Sequence, residues 1–374
     1  MRWTPLRIRL GLLLGSLLLA ALFAEGAARL WLHQVAGPER FARYARHSDL
    51  DPDSLRWTPH HYLNYIPTPG YWKNGTAHNR LGYRGPEIVQ PKPEGVFRIV
   101  TLGGSTTYTV AVADNDKTYP RQMERLLREA YDHPQVEVIN AGVVGYNSWE
   151  TLINFQFRVL DLDPDLVILY QNTNDVHARL VLPETYRGDN GGRRRQWSAP
   201  PLSIWDHSNF LRIVRRRMGW SRVEGLGAFV NAESFVGFGA DLRGRAIPHT
   251  PMAILKANPP VYYRRNVGNL LAIARSHGIP VLLVTWAYSP HFRDYTATEV
   301  YRRGFAEHNA ILKELSGEWE VPLYDFAAEM PGDTAYWAEG RHVNEAGALR
   351  KAELFAGFLV RSGVLEPPRH DGSE

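Results

Sequence analysis

From residue 96 onward, short apolar runs alternate with segments whose apolar positions recur at helical spacing. The apolar runs predict strands at 97–102, 136–139, 165–170, 280–286 and 321–326. The amphipathic segments predict helices at 119–131, 148–160, 208–218, 267–276, 299–315 and 344–361. Most of the predicted strands are apolar on both faces, which is typical of a parallel sheet covered by helices. The pattern therefore predicts an α/β fold, a three-layer α/β/α sandwich around a central, mainly parallel five-stranded sheet.

The N-terminal segment has a different pattern, a basic flank followed by an apolar run. The basic residues are Arg2, Arg7 and Arg9. The uncharged run at 10–24 spans about 22 Å as a helix, less than the ~30 Å hydrocarbon core of a bilayer. A pair between Glu25 and Arg29 would let residues 30–32 extend the buried stretch. Because no good cleavage site follows the run, we expect residues 1–35 to form an uncleaved signal anchor with the rest of the chain on the exported, periplasmic or extracellular, side. A cleaved signal peptide and a buried core helix are the alternatives.

The remaining boundaries follow from changes in composition. Residues 36–95 are polar, aromatic and rich in proline, which predicts a membrane-proximal stalk or an arm packed on the main domain. The main domain is expected at 96–365, with an insertion or cap at about 178–258 where the alternation of strands and helices stops. Residues 366–374 are expected to be a disordered tail. The arginine runs at 193–195 and 215–217 favour a solvated face, with anionic lipid headgroups or acidic polysaccharide as alternative contacts.

Composition and charge exclude several classes of function. The formal net charge is +4, but residues 1–24 contribute three arginines and no acid, so the excess is mostly a topology signal and does not indicate nucleic-acid binding. The absence of cysteine excludes a disulfide framework, a thiolate metal site and a catalytic thiol. No P-loop occurs and no dinucleotide-binding glycine motif follows a strand, so we expect no cofactor. His60, His61 and His177 lack metal-ligand spacing, so we expect no metal site.

The candidate chemistry lies where the predicted strands end, which is where open α/β sheets bind ligands. Ser105 follows two glycines, and a serine hydroxyl needs a base to become a nucleophile. His342 is the candidate base, and Glu339, three residues earlier, is the candidate acid that orients the imidazole. Backbone N–H groups of Ser105 and Gly145 and the side-chain amide of Asn174 are candidate donors to a developing oxyanion. This set of groups indicates acyl transfer.

The same residues resemble the SGNH, or GDSL-type, hydrolase family. Four blocks carry the resemblance in the family's order: Gly103-Gly104-Ser105, Asn140-Ala141-Gly142-Val143-Val144-Gly145, Asn172-Thr173-Asn174-Asp175 and Glu339-Gly340-Arg341-His342. The resemblance covers about residues 96–175 and 260–365. It implies the SGNH fold, Ser105 as nucleophile, His342 as base, and an oxyanion hole formed by Ser105, Gly145 and Asn174.

Three positions depart from the family's pattern. Gly104 stands where the family has aspartate, and we expect little effect because that side chain is not the nucleophile. Glu339 replaces the usual aspartate, so its longer side chain could be displaced and leave His342 to work partly as a dyad, with Asp333 as a possible substitute. Asn172 replaces the usual glycine, and we expect only a local difference in the backbone.

The resemblance implies a serine esterase that hydrolyses a small acyl ester, with O-acetyl on a carbohydrate as the leading expectation, and the N-terminal pattern predicts that this esterase is membrane-anchored. If the cap excludes water and admits a sugar hydroxyl, the same acyl-enzyme would make the protein an O-acyltransferase. A third alternative, motivated by Glu339, is a catalytically silent glycan-binding protein of the same fold. The expected partners are an acylated small molecule or glycan and the membrane; the oligomeric state is left open.

Overall fold

A computed structural model describes residues 5–46, 55–196, 203–220 and 249–365 of the chain. The predicted disordered tail at 366–374 lies outside these residues. The chain divides into two compact units. One unit comprises Met1–Leu55 with Gln196–Val230, and the other comprises Arg56–Arg195 with Asn231–Glu374.

The described strands all belong to the second unit. They are β1 (Trp57–His60), β2 (Asn64–Pro67), β3 (Trp72–Lys73), β4 (Thr76–Ala77), β5 (Phe97–Gly103), β6 (Val136–Asn140), β7 (Leu166–Tyr170), β8 (Val281–Val284) and β9 (Leu323–Tyr324). The last five form one sheet in the order β6-β5-β7-β8-β9, and every pair in it is parallel. The predicted five-stranded parallel sheet is therefore confirmed.

Helices of the second unit cover both faces of this sheet. The helices of the described residues are α1 (Pro5–Leu30), α2 (Pro38–Tyr44), α3 (Ser105–Tyr108), α4 (Tyr119–Glu129), α5 (Ser148–Asn154), α6 (Thr173–Arg179), α7 (Asn209–Arg217), α8 (Pro251–Ala257), α9 (Val261–Ser276), α10 (Glu299–Trp319), α11 (Phe326–Glu329) and α12 (Glu345–Arg361). The helix predicted at 148–160 is α5 followed by a π-helical turn, Phe155–Val159, and a short 3₁₀ turn. The helix predicted at 267–276 begins six residues earlier, at Val261.

Alternate residues along each central strand build separate apolar layers on the two faces of the sheet. On β7, Ile168 packs with α4 and α12, whereas Val167 and Leu169 pack with α5, α9 and part of α10. Because both faces are covered, all five residues of β7 are buried. This burial explains why the strands appear in the sequence as continuous apolar runs.

Residues 56–95 cluster with the sheet-containing unit. They form two antiparallel hairpins, β1–β2 and β3–β4. The buried guanidinium of Arg84 fixes this segment to the chain that follows the first sheet strand, because it donates to the carbonyl oxygens of Tyr108, Thr109, Val112 and Ala113 at 2.7–3.0 Å. The hairpins are therefore tied to the region next to β5.

The first unit contains α1, a π-helical turn at Trp31–Val35, α2 and the described residues 203–220. The segment Pro5–Val35 has the length and mean hydropathy, 1.9, to cross a membrane, which fits a signal anchor or a signal peptide. The pair expected from spacing is present, with Arg29 Nε 2.8 Å from Glu25 Oε1. A small apolar cluster links α2 and α7 to the end of this helix and includes Leu32, Ala36, Tyr44 and Ile213.

Candidate active site

The proposed nucleophile lies in the turn between β5 and α3. Gly103, the last residue of β5, has φ +155°, and a Cβ at this position would lie 2.2 Å from the Tyr170 carbonyl oxygen, so the turn requires glycine. Ser105 then begins α3. A Cβ on Gly104 would lie 2.7 Å from Nδ2 of Asn174. The glycine found in place of the family's aspartate therefore leaves room for the Asn174 amide beside the nucleophile turn.

Ser105, His342 and Glu339 form a continuous line of hydrogen bonds. His342 Nε2 lies 2.7 Å from Ser105 Oγ, and His342 Nδ1 lies 2.8 Å from Glu339 Oε1. When Nδ1–H is donated to Glu339, Nε2 is the acceptor for the serine hydroxyl. The same glutamate oxygen accepts the backbone N–H groups of Arg341 and His342 at 3.2 and 2.9 Å. Glu339 is thus folded back onto its own turn, and its extra methylene does not displace it from His342.

Electrostatics keep the imidazole in the form that can accept a proton. Burial lowers the pKa of His342 below its ordinary value of 6.5, the hydrogen bond to Glu339 opposes this shift, and the charge of Arg341 adds to it. His342 is therefore neutral at neutral pH, as a general base must be. Asp333, the possible substitute acid, instead accepts the N–H of Ala335 at 2.8 Å.

The loop between β6 and α5, residues 141–147, presents the second candidate oxyanion donor, the N–H of Gly145. We call it the glycine loop. Gly145 has φ +87°, and a Cβ there would lie 2.5 Å from the hydroxyl of Tyr65, so this position also requires glycine. The Tyr65 hydroxyl donates to the carbonyl oxygen of Val144 at 2.7 Å. Arg194 Nη2 donates to the carbonyl oxygen of Gly145. Among the described residues no group accepts the Gly145 N–H, which leaves this donor available.

The third block brings Asn174 to the same loop. Asn174 Nδ2 donates to the carbonyl oxygen of Tyr146 at 2.7 Å, and Gln171 Nε2 donates to the same oxygen at 3.0 Å. The next residue, Asp175, is buried and accepts the N–H of Ser148 and the Gln171 amide at 2.9 and 2.8 Å. Burial raises the pKa of Asp175 to about 7, although these hydrogen bonds oppose the shift. Asn174 therefore lies between the nucleophile turn and the glycine loop.

Asn172 fills the position where the family has glycine. Its φ of −162° is extended backbone, which any residue can adopt, so the change costs no backbone strain. The side chain is buried against α10, where its Oδ1 lies 3.0 Å from His308 Nδ1 and its Nδ2 donates to the carbonyl oxygen of Phe305 at 3.3 Å. The departure thus adds an anchor between the third block and α10.

The structure shows that the interpretation of Arg193 and Arg194 as solvent-exposed was wrong. We expected the run 193–195 to form a solvated face, but Arg193 and Arg194 are each only 8% exposed. Arg194 Nε lies 2.6 Å from Oε1 of the fully buried Glu150, and burial lowers the pKa of Arg193 to about 9. No local periodicity marks these residues as buried, because the partner carboxylate lies 44 positions away.

In the described ranges, no group of three histidine, aspartate or glutamate side chains is placed to hold a metal ion.

Comparison with known proteins identifies the family and the solved structures to which this chain is similar. The model of the GDSL-like Lipase/Acylhydrolase family matches residues 101–350. A lipase/acylhydrolase structure from Enterococcus faecalis is 16% identical, with 71% of this chain and 97% of that chain covered and a TM-score of 0.43. An acetyl xylan esterase structure from Geobacillus stearothermophilus is 12% identical, with coverages of 72% and 94% and a TM-score of 0.42. These likenesses establish neither a substrate nor the role of any residue. No curated protein matches the chain by sequence.

Proposed function

The chain belongs to the GDSL-like lipase/acylhydrolase family and is an ester hydrolase of the SGNH type, and from this premise we propose that Ser105, His342 and Glu339 are its catalytic triad. The hydrogen-bonded line from Glu339 through His342 to Ser105 is the observation that carries the proposal. In that line a neutral imidazole accepts from the hydroxyl and a carboxylate holds the opposite ring nitrogen, as nucleophilic catalysis by serine requires.

The reaction proceeds in two acyl-transfer steps. Ser105 Oγ attacks the ester carbonyl while its proton passes to His342 Nε2, and Glu339 stabilises the imidazolium that forms. The N–H groups of Ser105 and Gly145 and the Asn174 amide donate to the oxyanion. The tetrahedral intermediate expels the alcohol, which takes its proton from His342. Water then attacks the acyl-enzyme carbonyl while it loses a proton to His342. The second tetrahedral intermediate expels Ser105 Oγ, which takes that proton back from His342, so the acid is released and Ser105 is regenerated.

We infer that the substrate is a small acyl ester on the exported side of the membrane, with O-acetyl on a carbohydrate as the leading candidate. The family's chemistry and the apolar N-terminal helix support this inference. The contact between Glu339 and His342 supports hydrolysis over the alternative of a catalytically silent glycan-binding protein. Transfer of the acyl group to a sugar hydroxyl would use the same acyl-enzyme and is therefore an outcome to be measured.

Active-site labelling tests the nucleophile directly. The full chain in detergent should react with a fluorophosphonate probe and hydrolyse p-nitrophenyl acetate, and Ser105→Ala should do neither. Ser276→Ala, whose hydroxyl only donates to a carbonyl within α9, is the matched control and should behave as the parent. Labelling that persists in Ser105→Ala, or an unlabelled and inactive parent, would contradict the proposal.

The same protein can be used to define the acyl group and the acceptor. We expect faster hydrolysis of p-nitrophenyl acetate than of longer-chain esters, and release of acetate from O-acetylated polysaccharides. Acetylated product that accumulates when a sugar acceptor is added would identify a transferase.

A further inference from the structure

Tyr65 lies in the hairpin segment ahead of the family domain, yet it contacts the glycine loop of the site. Its side chain is fully buried, and its hydroxyl donates to the carbonyl oxygen of Val144 at 2.7 Å. The Val144 carbonyl and the Gly145 N–H belong to one planar trans peptide, so they point in opposite directions. The hydrogen bond from Tyr65 therefore fixes the direction of the Gly145 N–H.

The neighbouring carbonyls of the loop are held in the same way. Arg194 binds the Gly145 oxygen, and Asn174 binds the Tyr146 oxygen at 2.7 Å. Three consecutive carbonyls, at 144–146, are thus each bound by a side chain from a different part of the chain. This arrangement leaves the loop little freedom to rotate its peptides, and a fixed donor is what stabilisation of an oxyanion requires.

We propose that Tyr65 is a positioning residue for the oxyanion hole, an assignment that rests on the proposed function of Ser105 and Gly145. As negative charge develops on the substrate oxygen, the Gly145 N–H donates more strongly and its peptide carbonyl becomes a better acceptor. The Tyr65 hydroxyl then strengthens its own bond to Val144, so the two hydrogen bonds reinforce each other. Burial raises the pKa of Tyr65 to about 12, which keeps the hydroxyl protonated as a donor.

The test compares two tyrosines that make the same kind of bond. Tyr186 donates to the carbonyl oxygen of Pro259, also at 2.7 Å, in a different part of the second unit. Thermal unfolding in detergent measures the stability cost of each variant, which should be no larger for Tyr186→Phe because Tyr186 is only half-buried. Only Tyr65→Phe should lower kcat for p-nitrophenyl acetate, by about tenfold with KM unchanged, which is less than the loss for removing an oxyanion donor outright.

A tetrahedral inhibitor separates positioning from a general loss of structure. The affinity for a boronic acid, which forms an anionic adduct with the serine, should fall in Tyr65→Phe by the same factor as kcat. If the two variants behave alike, or if KM alone changes, the assignment of Tyr65 is wrong. If Ser105→Ala keeps the labelling activity of the parent, the proposed function itself fails, and this result is distinct from the first.

A separate observation concerns the first unit, where α7 begins against the apolar helix α1. The carboxylate of Glu25 accepts the Ser208 hydroxyl at 2.7 Å and the N–H groups of Asn209 and Phe210 at 3.0 Å each. An anion at a helix N-terminus is stabilising, so this contact fixes the start of α7 at the level of residue 25. The leucines of α1 that precede Glu25 are more than half exposed, for example Leu18 at 62%.

Large apolar side chains are exposed in the short turn just before α7 and in the first turn of α7. Ile204 is 76% exposed, Trp205 52% and Phe210 40%. Leu17, the middle of the uncharged run, is eight residues from Glu25, which is about 12 Å along a helix. Half of the hydrocarbon core is ~15 Å, so Glu25 falls near the boundary between acyl chains and headgroups. Tryptophan is enriched at this depth, and apolar side chains beside it can be buried at the boundary with the acyl chains.

We infer that Ile204, Trp205 and Phe210 form a second membrane contact, inserted at the interface of the bilayer that α1 crosses. The first residues of α7 lie beside Glu25, and the helix then runs along the last turns of α1. It ends at Arg217, whose guanidinium lies 6.0 Å from the ring centroid of Trp31. The arginines at 215–217 therefore lie farther from the bilayer centre than Phe210, at a height suited to anionic headgroups. The partner is the lipid surface itself.

The absence of native cysteine allows a clean test in the full chain. Single cysteines at Ile204, Phe210, Leu17 and Met218 are labelled with an environment-sensitive fluorophore and reconstituted into vesicles of phosphatidylcholine and phosphatidylglycerol. Doxyl-labelled lipids should quench the labels at 204 and 210 about twofold more than the label at 218. The label at 17 reports whether α1 is inserted.

Each remaining outcome contradicts the inference. Quenching at 17 without quenching at 204 and 210 would leave the anchor and remove the second contact. Blue-shifted emission at 204 without quenching by lipid would mean that protein, rather than lipid, covers these side chains. No quenching at 17 would show that the anchor is absent, and the second contact would fail with it.

Discussion

A glutamate three residues before the histidine reaches the imidazole because the backbone of its own turn holds it. Two N–H groups, of Arg341 and His342, bind the Glu339 oxygen that contacts His342 Nδ1. Arg341 also places Nη1 3.4 Å from the other glutamate oxygen, and its guanidinium lies 4.6 Å from the ring centroid of Tyr295. The extra methylene is thereby accommodated within the turn that holds Glu339.

The glutamate should therefore be needed for catalysis. Glu339→Gln should lower kcat by about 10²-fold or more, because the amide no longer holds the imidazole in the catalytic tautomer. The native hydrogen bond raises the pKa of His342 against the effect of burial, so its loss lowers that pKa further. Activity requires neutral His342, hence the acid limb of the pH profile of kcat/KM should lie below pH 6.5 in the parent and at lower pH in the variant.

Measurements of kcat/KM on p-nitrophenyl acetate across the acidic range check this prediction. Glu353→Gln, which changes an exposed carboxylate paired with Arg350, is the control. Full activity in Glu339→Gln would show that His342 works without a carboxylate at that position.

Lys351 is a buried amine for which the fold provides no carboxylate partner among the described residues. Its Nζ lies 3.7 and 3.8 Å from the ring centroids of Tyr170 and Tyr119, and it donates to the carbonyl oxygen of Thr106 at 3.4 Å. Burial lowers the pKa of Lys351 well below its ordinary value of 10.5. The folded state therefore holds this lysine neutral under conditions in which the unfolded chain protonates it.

Replacement by methionine should stabilise the protein at neutral pH. Between the lowered pKa and 10.5, the unfolded state binds more protons, so the stability of the parent rises with pH over this window. Lys351→Met lacks this dependence and should unfold at a higher temperature at pH 7, by about 2–4 °C for each kcal/mol gained. The difference in unfolding temperature between Lys351→Met and the parent should be smaller at pH 9 than at pH 7. Thermal unfolding at the two pH values, with exposed Lys256→Met as control, checks the result, and a lower unfolding temperature at pH 7 would contradict it.

At the scale of elements, the sequence predicted those features that depend on neighbouring residues, and it did not predict contacts between distant segments. The strands β5, β6 and β7 appear as apolar runs because a parallel sheet covered on both faces buries every residue, and the residues at their carboxyl ends identify the candidate site. Contacts between distant segments left no such signal. Tyr65 lies 79 positions from Val144, and Arg194 lies 49 positions from Gly145. The arginines at 193 and 194 therefore looked like part of a solvated run, although both are buried.

Asp175 joins two of these elements, since it lies in α6 and binds the start of α5 through Ser148. Its pKa is raised from 3.8 to about 7, so between these values the folded state binds more protons than the unfolded state. Stability should therefore fall as pH rises from about 4 to about 7. Asp175→Asn removes this slope, while its loss of an acceptor for Gln171 costs the same at every pH.

Unfolding midpoints at pH 5 and pH 8 test the slope. From pH 5 to pH 8, the unfolding midpoint of the parent should fall more than that of Asp175→Asn. The control variant, Asp116→Asn at an exposed position, should change with pH as the parent does. Parallel behaviour of Asp175→Asn and the parent would show that Asp175 does not titrate in this range.

At the scale of the whole molecule, charge and hydropathy indicate one orientation. Three arginines lie before the apolar run and no acid precedes Glu25, whereas the sheet-containing unit follows the run. Positive charge is retained on the cytoplasmic side of membranes, so the chain should place its first residues inside and the catalytic unit on the exported side. A catalytic unit in that compartment without disulfides has to be stable through its sheet and apolar layers alone.

Single-cysteine labelling tests this orientation, because the parent offers no competing thiol. Ser362→Cys, in the exposed turn after α12, should react with a membrane-impermeant maleimide in right-side-out vesicles, and Leu6→Cys should react only in inverted vesicles. An uncleaved anchor should also retain the full mass of 42.5 kDa in the membrane fraction after alkaline extraction. Loss of the Leu6→Cys site from the mature protein, with a smaller mass, would instead identify a cleaved signal peptide. The reverse pattern of labelling would place the active site in the cytoplasm and exclude an exported substrate.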